Sequence, residues 1–162
     1  MLILGIDPGI GITGYSIVSY LNDEYELVSS GSIQTDKNAP HPKRLLELKN
    51  DIDCVIEKYE PDCASIEQLF FFKNQKTIIP VAQARGVILL SLVQHNIATF
   101  EYTPLVVKQT ITGHGRADKS LVKMMIKNFI EINESVKLDD TIDSVALALC
   151  HAQNMKFKEQ LQ

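Results

Sequence analysis

The sequence predicts an α/β fold in which helices flank a mixed five-stranded sheet, and three observations support this prediction. Three apolar, strand-like runs come first, over residues 2–7, 13–20 and 25–33, and short linkers make them antiparallel neighbours. Two further strand-like runs, over residues 62–67 and 99–102, alternate with segments of helical spacing. The rest of the C-terminal part has helical spacing. This order is typical of an α/β sandwich around one sheet.

The first half of the chain contains one hairpin, one loop and one helix besides its strands. Residues 7–11 read Asp-Pro-Gly-Ile-Gly and predict a turn, and residues 21–24 predict the tip of the hairpin. Residues 34–42 form a polar loop that contains proline. Apolar residues then recur at intervals of three and four over residues 43–60, which predicts an amphipathic helix that Pro61 ends.

The second half begins with a loop over residues 69–76 and a helix over residues 77–95. Pro80 is tolerated there if it lies in the first helical turn. The second half of this helix, residues 87–93, is apolar nearly all round. A helix of this kind is buried on more than one side, so we expect one side to cover the sheet and another to cover a second subunit.

Three further helical segments complete the chain. The first begins at Pro104 and is broken by the glycines of residues 113–115. The next is capped at its N-terminus by Asp118 or Ser120. The last covers about residues 139–157.

The length and composition indicate a single soluble domain. With 162 residues the chain is long enough to bury a core, and we expect one domain over residues 1–162. No apolar stretch is long enough to cross a bilayer, and the N-terminus enters an apolar strand without a basic leader. Cys54, Cys63 and Cys150 have no paired spacing, so we expect buried, reduced thiols and a cytoplasmic location without membrane contact.

Charge is distributed unevenly along the chain. The net charge is −4, but residues 69–131 contain eight Lys or Arg and only three acidic residues. A locally basic surface can bind phosphates whatever the total charge. The same residues would also suit the solvated faces of helices, so charge alone does not identify a partner.

Carboxylates stand where three segments can converge. Asp7 and Glu67 each end an apolar strand, and Asp140 and Asp143 lie one turn apart at the start of the last helix. Each has an ordinary structural explanation singly, as a turn cap or as an acid near a helix N-terminus, where Asp139 suits the cap position better. Together, however, they would repel one another unless a cation neutralised them. This pattern predicts a divalent metal site, which in proteins often serves phosphate chemistry.

Eight segments then occur in an order and at a spacing that are highly specific as a set. They are residues 5–9 (Gly-Ile-Asp-Pro-Gly), 66–70 (Ile-Glu-Gln-Leu-Phe), 83–86 (Gln-Ala-Arg-Gly), 100–102 (Phe-Glu-Tyr), 107–110 (Val-Lys-Gln-Thr), 113–115 (Gly-His-Gly), 119–120 (Lys-Ser) and 140–148 (Asp-Thr-Ile-Asp-Ser-Val-Ala-Leu-Ala). With them the chain, from residue 1 to about 155, strongly resembles the bacterial RuvC family of Holliday-junction resolvases.

The resemblance implies a ribonuclease-H-like fold and a homodimer that makes paired symmetric nicks in four-way DNA junctions during recombination and repair. It maps the four catalytic, metal-binding acids onto Asp7, Glu67, Asp140 and Asp143, with Asp139 as a neighbour that could share the role of Asp140. Two Mg²⁺ ions per subunit, for which Mn²⁺ could substitute, would support hydrolysis that leaves 5′-phosphate and 3′-hydroxyl ends. A junction-binding protein and a branch-migration motor are the implied partners.

Further residues are candidates for contacts with DNA. Lys108 and Lys119 lie in segments shared with the family and would contact the backbone near the cut. The weaker basic candidates are Lys73, Lys76, Arg85, Arg116 and Lys123. Phe70 stands at an aromatic position of the family and would stack on a base that is unpaired at the crossover. Arg85 lies within a helix and could instead brace the fold.

Two other functions deserve comparison. Residues 7–13 also resemble the phosphate loop of the sugar-kinase and actin superfamily, but those proteins need a second similar domain and this chain has no internal repeat. A non-catalytic junction-binding module would be expected to lack one or more of the four acids, which are all present. Cleavage of a synthetic junction that requires Mg²⁺ separates these alternatives.

Overall fold

Five strands and five helices make up the part of the chain that the computed structural model describes, which is residues 1–69, 75–131 and 141–159, without the side chains of residues 75–77 and 157–159. In chain order they are β1 (Leu2–Asp7), β2 (Ile12–Leu21), β3 (Glu24–Gln34), α1 (His41–Tyr59), β4 (Cys63–Glu67), α2 (Gln75–Gln94), β5 (Ala98–Tyr102), α3 (Pro104–Thr112), α4 (Lys119–Ile126) and α5 (Ile142–Glu159).

The strands form one mixed sheet in the order β3-β2-β1-β4-β5, which confirms the predicted five-stranded sheet. β2 runs antiparallel to β1 and β3, whereas β4 runs parallel to both β1 and β5. The β2–β3 hairpin turns at Asn22 and Asp23, whose φ angles are 51° and 67°. Asn and Asp tolerate this left-handed backbone better than most residues, so the turn chemistry fixes the hairpin where the sequence predicts it.

Alternate residues of the central strands face two different helical layers. Leu4 and Ile6 of β1 pack in a buried cluster with residues of α1 and α2. Ile3, on the opposite side of the same strand, packs with residues of α3, α4 and α5, among them Val145 and Leu149. Because strand residues alternate between faces, one central strand supplies both halves of the core.

Helix α5 lies directly on β1 and β4. A Cβ atom built on Gly5 would stand only 2.0 Å from the backbone oxygen of Ser144, so the two backbones meet at a position that has no side chain. The hydroxyl of Ser65 in β4 donates a hydrogen bond of 2.7 Å to the carbonyl of Leu147. These contacts fix the start of α5 over the carboxyl ends of β1 and β4.

Two details of the helices differ from the sequence-based expectations. Helix α2 begins at Gln75, so Pro80 lies in its second turn rather than in its first. Cys54 is exposed, whereas Cys63 and Cys150 are buried as expected. The expectation for Cys54 is wrong because Ile52, Val55 and Ile56 turn the apolar side of α1 towards the sheet and leave Cys54 on the other side.

Other helix boundaries agree with the sequence. Helix α1 ends at Tyr59, with Glu60 in a left-handed conformation immediately before Pro61. Asp118 is the N-cap of α4, since its side chain accepts a hydrogen bond from the backbone nitrogen of Leu121. None of the helices in the described ranges has the length and apolar character that a membrane crossing requires.

Candidate active site

Asp7 and Glu67 lie side by side at the carboxyl ends of two parallel strands. Ile6 of β1 pairs with Ile66 of β4, so the acid that follows each isoleucine stands at the same edge of the sheet. Ile6 and Ile66 both belong to the core on the α1 and α2 side. By the alternation of strand residues, Asp7 and Glu67 face the opposite layer, which contains α5.

Asp143 approaches these two acids from the first turn of α5. The contact between Gly5 and Ser144 places this turn over β1. The charge of Asp143 raises the pKa values of both Asp7 and Glu67, which shows that the three carboxylates share one electrostatic environment. The structure therefore brings together three of the four acids that the sequence predicts.

Burial and the charges of neighbouring acids raise the pKa values of Asp7 and Glu67. The pKa of Asp7 is raised to about 6, first by burial and then by the charge of Asp143, while Lys119 acts in the opposite direction. The pKa of Glu67 is raised to about 7, again first by burial and then by Asp7 and Asp143, with Lys108 opposing. A bound cation would lower these pKa values, because nearby positive charge favours the ionised form of a carboxylate.

The turn after Asp7 is held by its own hydrogen bonds. The hydroxyl of Thr13, which is buried, donates to the carbonyl of Gly9 at 2.6 Å and accepts from the Gly9 nitrogen at 3.2 Å. A Cβ atom on Gly9 would lie 2.1 Å from the backbone oxygen of Ile12. Only glycine fits so close an approach, and the resulting turn fixes the end of β1 where Asp7 stands.

A cleft of about 190 Å³ opens beside the acids, with polar and apolar walls. Its lining residues are Glu67, Pro104, Val107, Lys108, Lys119, Val122, Asp143, Ala146 and Leu147. The ammonium of Lys119, at the start of α4, lies 2.8 Å from a carboxylate oxygen of Asp143. Two of the predicted DNA-contacting lysines, Lys108 and Lys119, thus lie in the same cleft as two of the predicted acids.

The remaining predicted residues are placed differently. Arg116 is exposed in the loop between α3 and α4, and Lys123 is half-buried on α4, one turn beyond Lys119. The residues that lie outside the described part of the chain are Phe70, Lys73, Asp139 and Asp140, together with the side chain of Lys76. Their roles stay predictions from the sequence.

The types of residue at the site fit a hard divalent cation, because all the candidate ligands are carboxylate oxygens. Within residues 1–69, 75–131 and 141–159, however, no three His, Cys, Asp or Glu side chains stand close enough to hold one ion together. Asp143 is engaged by Lys119 instead. The described residues therefore supply the type of ligand that such a cation prefers, but their carboxylates are not close enough together in this structure to bind one ion.

Several residues that shape the site were not singled out for this role in the sequence. Arg85 of α2, for which the sequence allows either a weak DNA contact or a brace for the fold, donates a hydrogen bond to the carbonyl of Glu67 and pairs with Glu101. Gly5 and Ser65 seat α5 on the sheet. Of these, Gly5 had a usable signal, because a glycine inside an apolar strand often marks a close approach of another backbone.

A mixed sheet in the order β3-β2-β1-β4-β5, with carboxylates at the ends of β1 and β4 and at the start of the helix that covers them, has the architecture of the ribonuclease-H-like class. Residues 3–151 match the model of the family described as "Crossover junction endodeoxyribonuclease RuvC". The chain belongs to the RuvC family. It is accordingly an endodeoxyribonuclease that acts at crossover junctions, and membership of this family implies the use of divalent metal.

Individual relatives agree with this assignment over nearly their whole length. The crossover junction endodeoxyribonuclease RuvC of Caldicellulosiruptor saccharolyticus is 46% identical over 152 residues, which cover 93% of this chain and 92% of the relative. The RuvC protein of Alkaliphilus oremlandii is 43% identical over 162 residues, covering 100% and 99%. The structure is also similar to that of Thermus thermophilus RuvC in complex with a Holliday junction substrate, with a TM-score of 0.90, 26% identity and coverage of 98% and 96%.

Proposed function

We propose that this chain, as a homodimer of one nuclease domain over residues 1–162, resolves four-way DNA junctions in recombination and repair by paired symmetric nicks. The observation that carries the proposal is the convergence of Asp7, Glu67 and Asp143 at one edge of the sheet, next to a cleft that also contains Lys108 and Lys119. Carboxylates suit metal-assisted hydrolysis of a phosphodiester, and the lysines suit the phosphates around it.

Four acids hold the cofactor in this proposal. Asp7, Glu67 and Asp143, with Asp140 as the fourth, would hold two Mg²⁺ ions per subunit, for which Mn²⁺ could substitute. Bound there, the ions would supply an activated water and positive charge for the attacked phosphate and the leaving oxygen, and the products would carry 5′-phosphate and 3′-hydroxyl ends. The charge of Asp143 raises the pKa of Asp7, and the charges of Asp7 and Asp143 raise the pKa of Glu67, so the three acids act on one another and a bound cation would relieve all of them.

The cations of the chain orient the DNA around these acids. Lys119 holds positive charge beside Asp143, and Lys108 lowers the cost of ionising Glu67. Both lie in the cleft, where a phosphate of the backbone would meet them. Arg116 and Lys123 extend the basic surface along the start of α4, and Lys73 and Lys76 are further candidates from the sequence. Phe70 would stack on a base unpaired at the crossover.

An apolar stripe on α2 supports the homodimer. Ile79, Leu90 and Val93 are 64%, 53% and 69% exposed, which is unusual for large aliphatic side chains so close together on one helix. Gly86 falls on the same stripe, and a Cβ atom there would meet nothing within 4 Å. Spacings of seven, four and three residues place all four on one face of the helix. A second copy of this face would cover the stripe and supply a second active site for the second strand.

The wider context of the reaction is part of the same proposal. A junction-binding protein and a branch-migration motor would present the junction to the enzyme. The substrate and the unpaired thiols of Cys54, Cys63 and Cys150 suit a reducing cytoplasm.

The direct test compares three labelled substrates: a four-way junction, a linear duplex and an RNA–DNA hybrid, each with and without Mg²⁺. We expect two symmetric nicks in the junction, only when Mg²⁺ is present, and little cleavage of the other two substrates. Equal cleavage of the hybrid would indicate a different nuclease activity of the same fold. Binding of the junction without any cleavage would indicate a binding module instead.

A further inference from the structure

Arg85 connects α2 to the strand end that carries one of the catalytic acids. Its side chain is only 15% exposed. The Nε atom donates a hydrogen bond of 3.2 Å to the backbone carbonyl of Glu67, and Nη2 lies 2.7 Å from a carboxylate oxygen of Glu101. One guanidinium thereby joins the last residue of β4 to a side chain of β5.

The arginine reaches β4 from the side opposite to the other acids. Glu101 pairs in register with Ile66, which faces the core formed with α1 and α2. Glu67 is the next residue along β4, so its side chain points to the α5 side, while Arg85 comes from the α2 side. Arg85 therefore binds the backbone of Glu67 and leaves the carboxylate free of a neutralising partner from this direction.

The end of β4 needs such a restraint. Glu67 is the last residue of β4, and the pairing of β4 with β1 already ends at Ile66, so strand pairing restrains its backbone on one side only. The peptide group that joins Glu67 to Gln68 is held on both sides. Its N–H, from Gln68, donates a hydrogen bond of 2.8 Å to the carbonyl of Tyr102, and its carbonyl, from Glu67, accepts the bond from Arg85. Together the two bonds fix the plane of this peptide and the backbone direction at Glu67.

We propose that Arg85 is a positioning residue that, with Glu101 as its anchor, holds the end of β4 so that the carboxylate of Glu67 faces those of Asp7 and Asp143. The inference rests on the proposed role of Glu67 as a metal ligand. It also gives a function to two segments shared with the family, residues 83–86 and 100–102, which the catalytic acids do not explain. Groups that orient a ligand in this way change metal affinity or activity by about 10–100-fold when they are removed.

The test measures the affinity of the protein for Mn²⁺ without DNA, from the electron paramagnetic resonance signal of unbound Mn²⁺. Arg85→Met is expected to weaken binding by about tenfold or more. Arg85→Lys should fall between it and the unaltered protein, because a single ammonium cannot bind the carbonyl and the carboxylate as a planar fork does. Glu101→Gln should have the smallest effect of the three, because it leaves in place the hydrogen bond from Arg85 to the carbonyl of Glu67.

A matched control is Lys49→Met, which removes the ion pair between Lys49 and Asp53. Both residues lie on α1, which carries none of the proposed metal ligands. Lys49→Met should leave Mn²⁺ binding unchanged. Thermal unfolding of every variant checks the fold. If Arg85→Met does not fold, Arg85→Lys and Glu101→Gln decide the question by their order of effect.

A second readout separates positioning from general bracing of the fold. At saturating Mg²⁺ and junction, Arg85→Met should lower kcat about tenfold or more and leave the Kd for the junction almost unchanged. In a Glu67→Gln background the same substitution should cost almost nothing further, because the group it positions is already lost. An equal loss in both backgrounds would overturn the proposal.

An error in the proposed metal site and an error in the proposed role of Arg85 would give different results. If the unaltered protein binds neither Mn²⁺ nor Mg²⁺ and does not cut the junction, the proposed metal site is wrong, and the role of Arg85 with it. If the unaltered protein binds metal and cuts normally, and folded Arg85→Met does the same, only the role of Arg85 is overturned.

Discussion

The ammonium of Lys119 lies 2.8 Å from a carboxylate oxygen of Asp143, so a side chain of α4 provides positive charge at the acids before any metal arrives. Both groups are well exposed, at 60% and 43% of their side-chain surface, and the pair can therefore open readily. On the proposed function, a lysine in this position would compete with a metal ion for Asp143 and would remain near enough to contact a phosphate.

Removal of this lysine should separate the two effects. We expect Lys119→Met to tighten the binding of Mn²⁺ to the free protein by about two- to fivefold, since an exposed ion pair contributes about 0.2–1 kcal/mol. Cleavage should nevertheless be slower, because the phosphate loses a cationic contact. Lys127→Met, at the other end of α4, is the control and should change neither quantity. Weaker Mn²⁺ binding in Lys119→Met would contradict the idea of competition.

Asp7→Asn should abolish cleavage and leave junction binding largely intact. We expect the cleavage rate to fall by about three orders of magnitude or more, since metal ions contribute several kcal/mol to stabilisation of the transition state. Affinity for DNA comes mainly from cationic groups, so the Kd from a gel-shift titration should change little. Glu67→Gln, Asp140→Asn and Asp143→Asn should behave alike. Asp51→Asn, an exposed acid of α1, is the control, and substantial cutting by Asp7→Asn at saturating Mg²⁺ would exclude a central role for Asp7.

The stability of the metal-free protein should fall as the pH rises through the range in which these acids ionise. Asp7 has an ordinary pKa of 3.8 and a folded-state pKa of about 6, and Glu67 rises from 4.5 to about 7. Between these values the folded state binds more protons than the unfolded state, so a rise in pH from about 4 to about 7 favours unfolding.

Asp7→Asn should therefore have a higher Tm than the unaltered protein at pH 8 without metal, and the difference should shrink towards pH 4. Differential scanning calorimetry in a chelating buffer measures both values. Addition of Mg²⁺ at pH 8 should raise the Tm of the unaltered protein more than that of Asp7→Asn. An unchanged difference between the two proteins across this pH range would show that Asp7 ionises freely in the folded state.

Gly5→Ala should disturb the site from inside the core. The new methyl group would lie 2.0 Å from the backbone oxygen of Ser144, so α5 must move away from β1. Overpacking of this kind costs about 1–3 kcal/mol of stability. The movement also carries Asp143 away from Asp7, so metal affinity should fall further than the loss of stability alone explains. Gly11→Ala, where the nearest atom would be at an ordinary distance of 3.6 Å, should be almost neutral in urea unfolding and in metal titration.

The stripe on α2 predicts how the oligomer can be broken. Leu90→Glu, and separately Val93→Glu, should shift sedimentation at micromolar concentration from dimer to monomer, because a carboxylate cannot be buried without a partner. Monomers should lose the coupling between the two cuts. Leu46→Glu changes a similarly exposed residue of α1, which is 58% accessible, and should remain dimeric. A fully active monomer of the unaltered protein would contradict the proposed interface.

The strands and the two strand-end acids could be predicted because their signals are local. The apolar runs that end at Asp7 and Glu67 are continuous in sequence, and the tip of the hairpin at Asn22 and Asp23 has the required turn chemistry. The contact of Arg85 with Glu67 and Glu101 could not be predicted, because it joins three different elements and depends on the packing of α2.

The expectation that Cys54 is buried is wrong for a reason that lies within α1 itself. Val55 and Ile56, which follow it, are apolar, but exposure on a helix depends on the direction in which each residue points. The three- and four-residue spacing of Leu48, Ile52, Val55 and Ile56 already assigns the buried side of α1, and Cys54 falls outside that spacing. Composition alone was thus a weaker guide than periodicity.

The backbone contact between Gly5 and Ser144 limits how this enzyme can evolve. At most active sites a lineage can exchange catalytic side chains while the scaffold beneath them stays unaltered. Here the scaffold contact and the spacing of Asp7 and Asp143 depend on the same missing methyl group. Any substitution at Gly5 must be answered at once by changes in α5. Lys119 lines the cleft with an exposed side chain, so a substitution there does not require changes in the core.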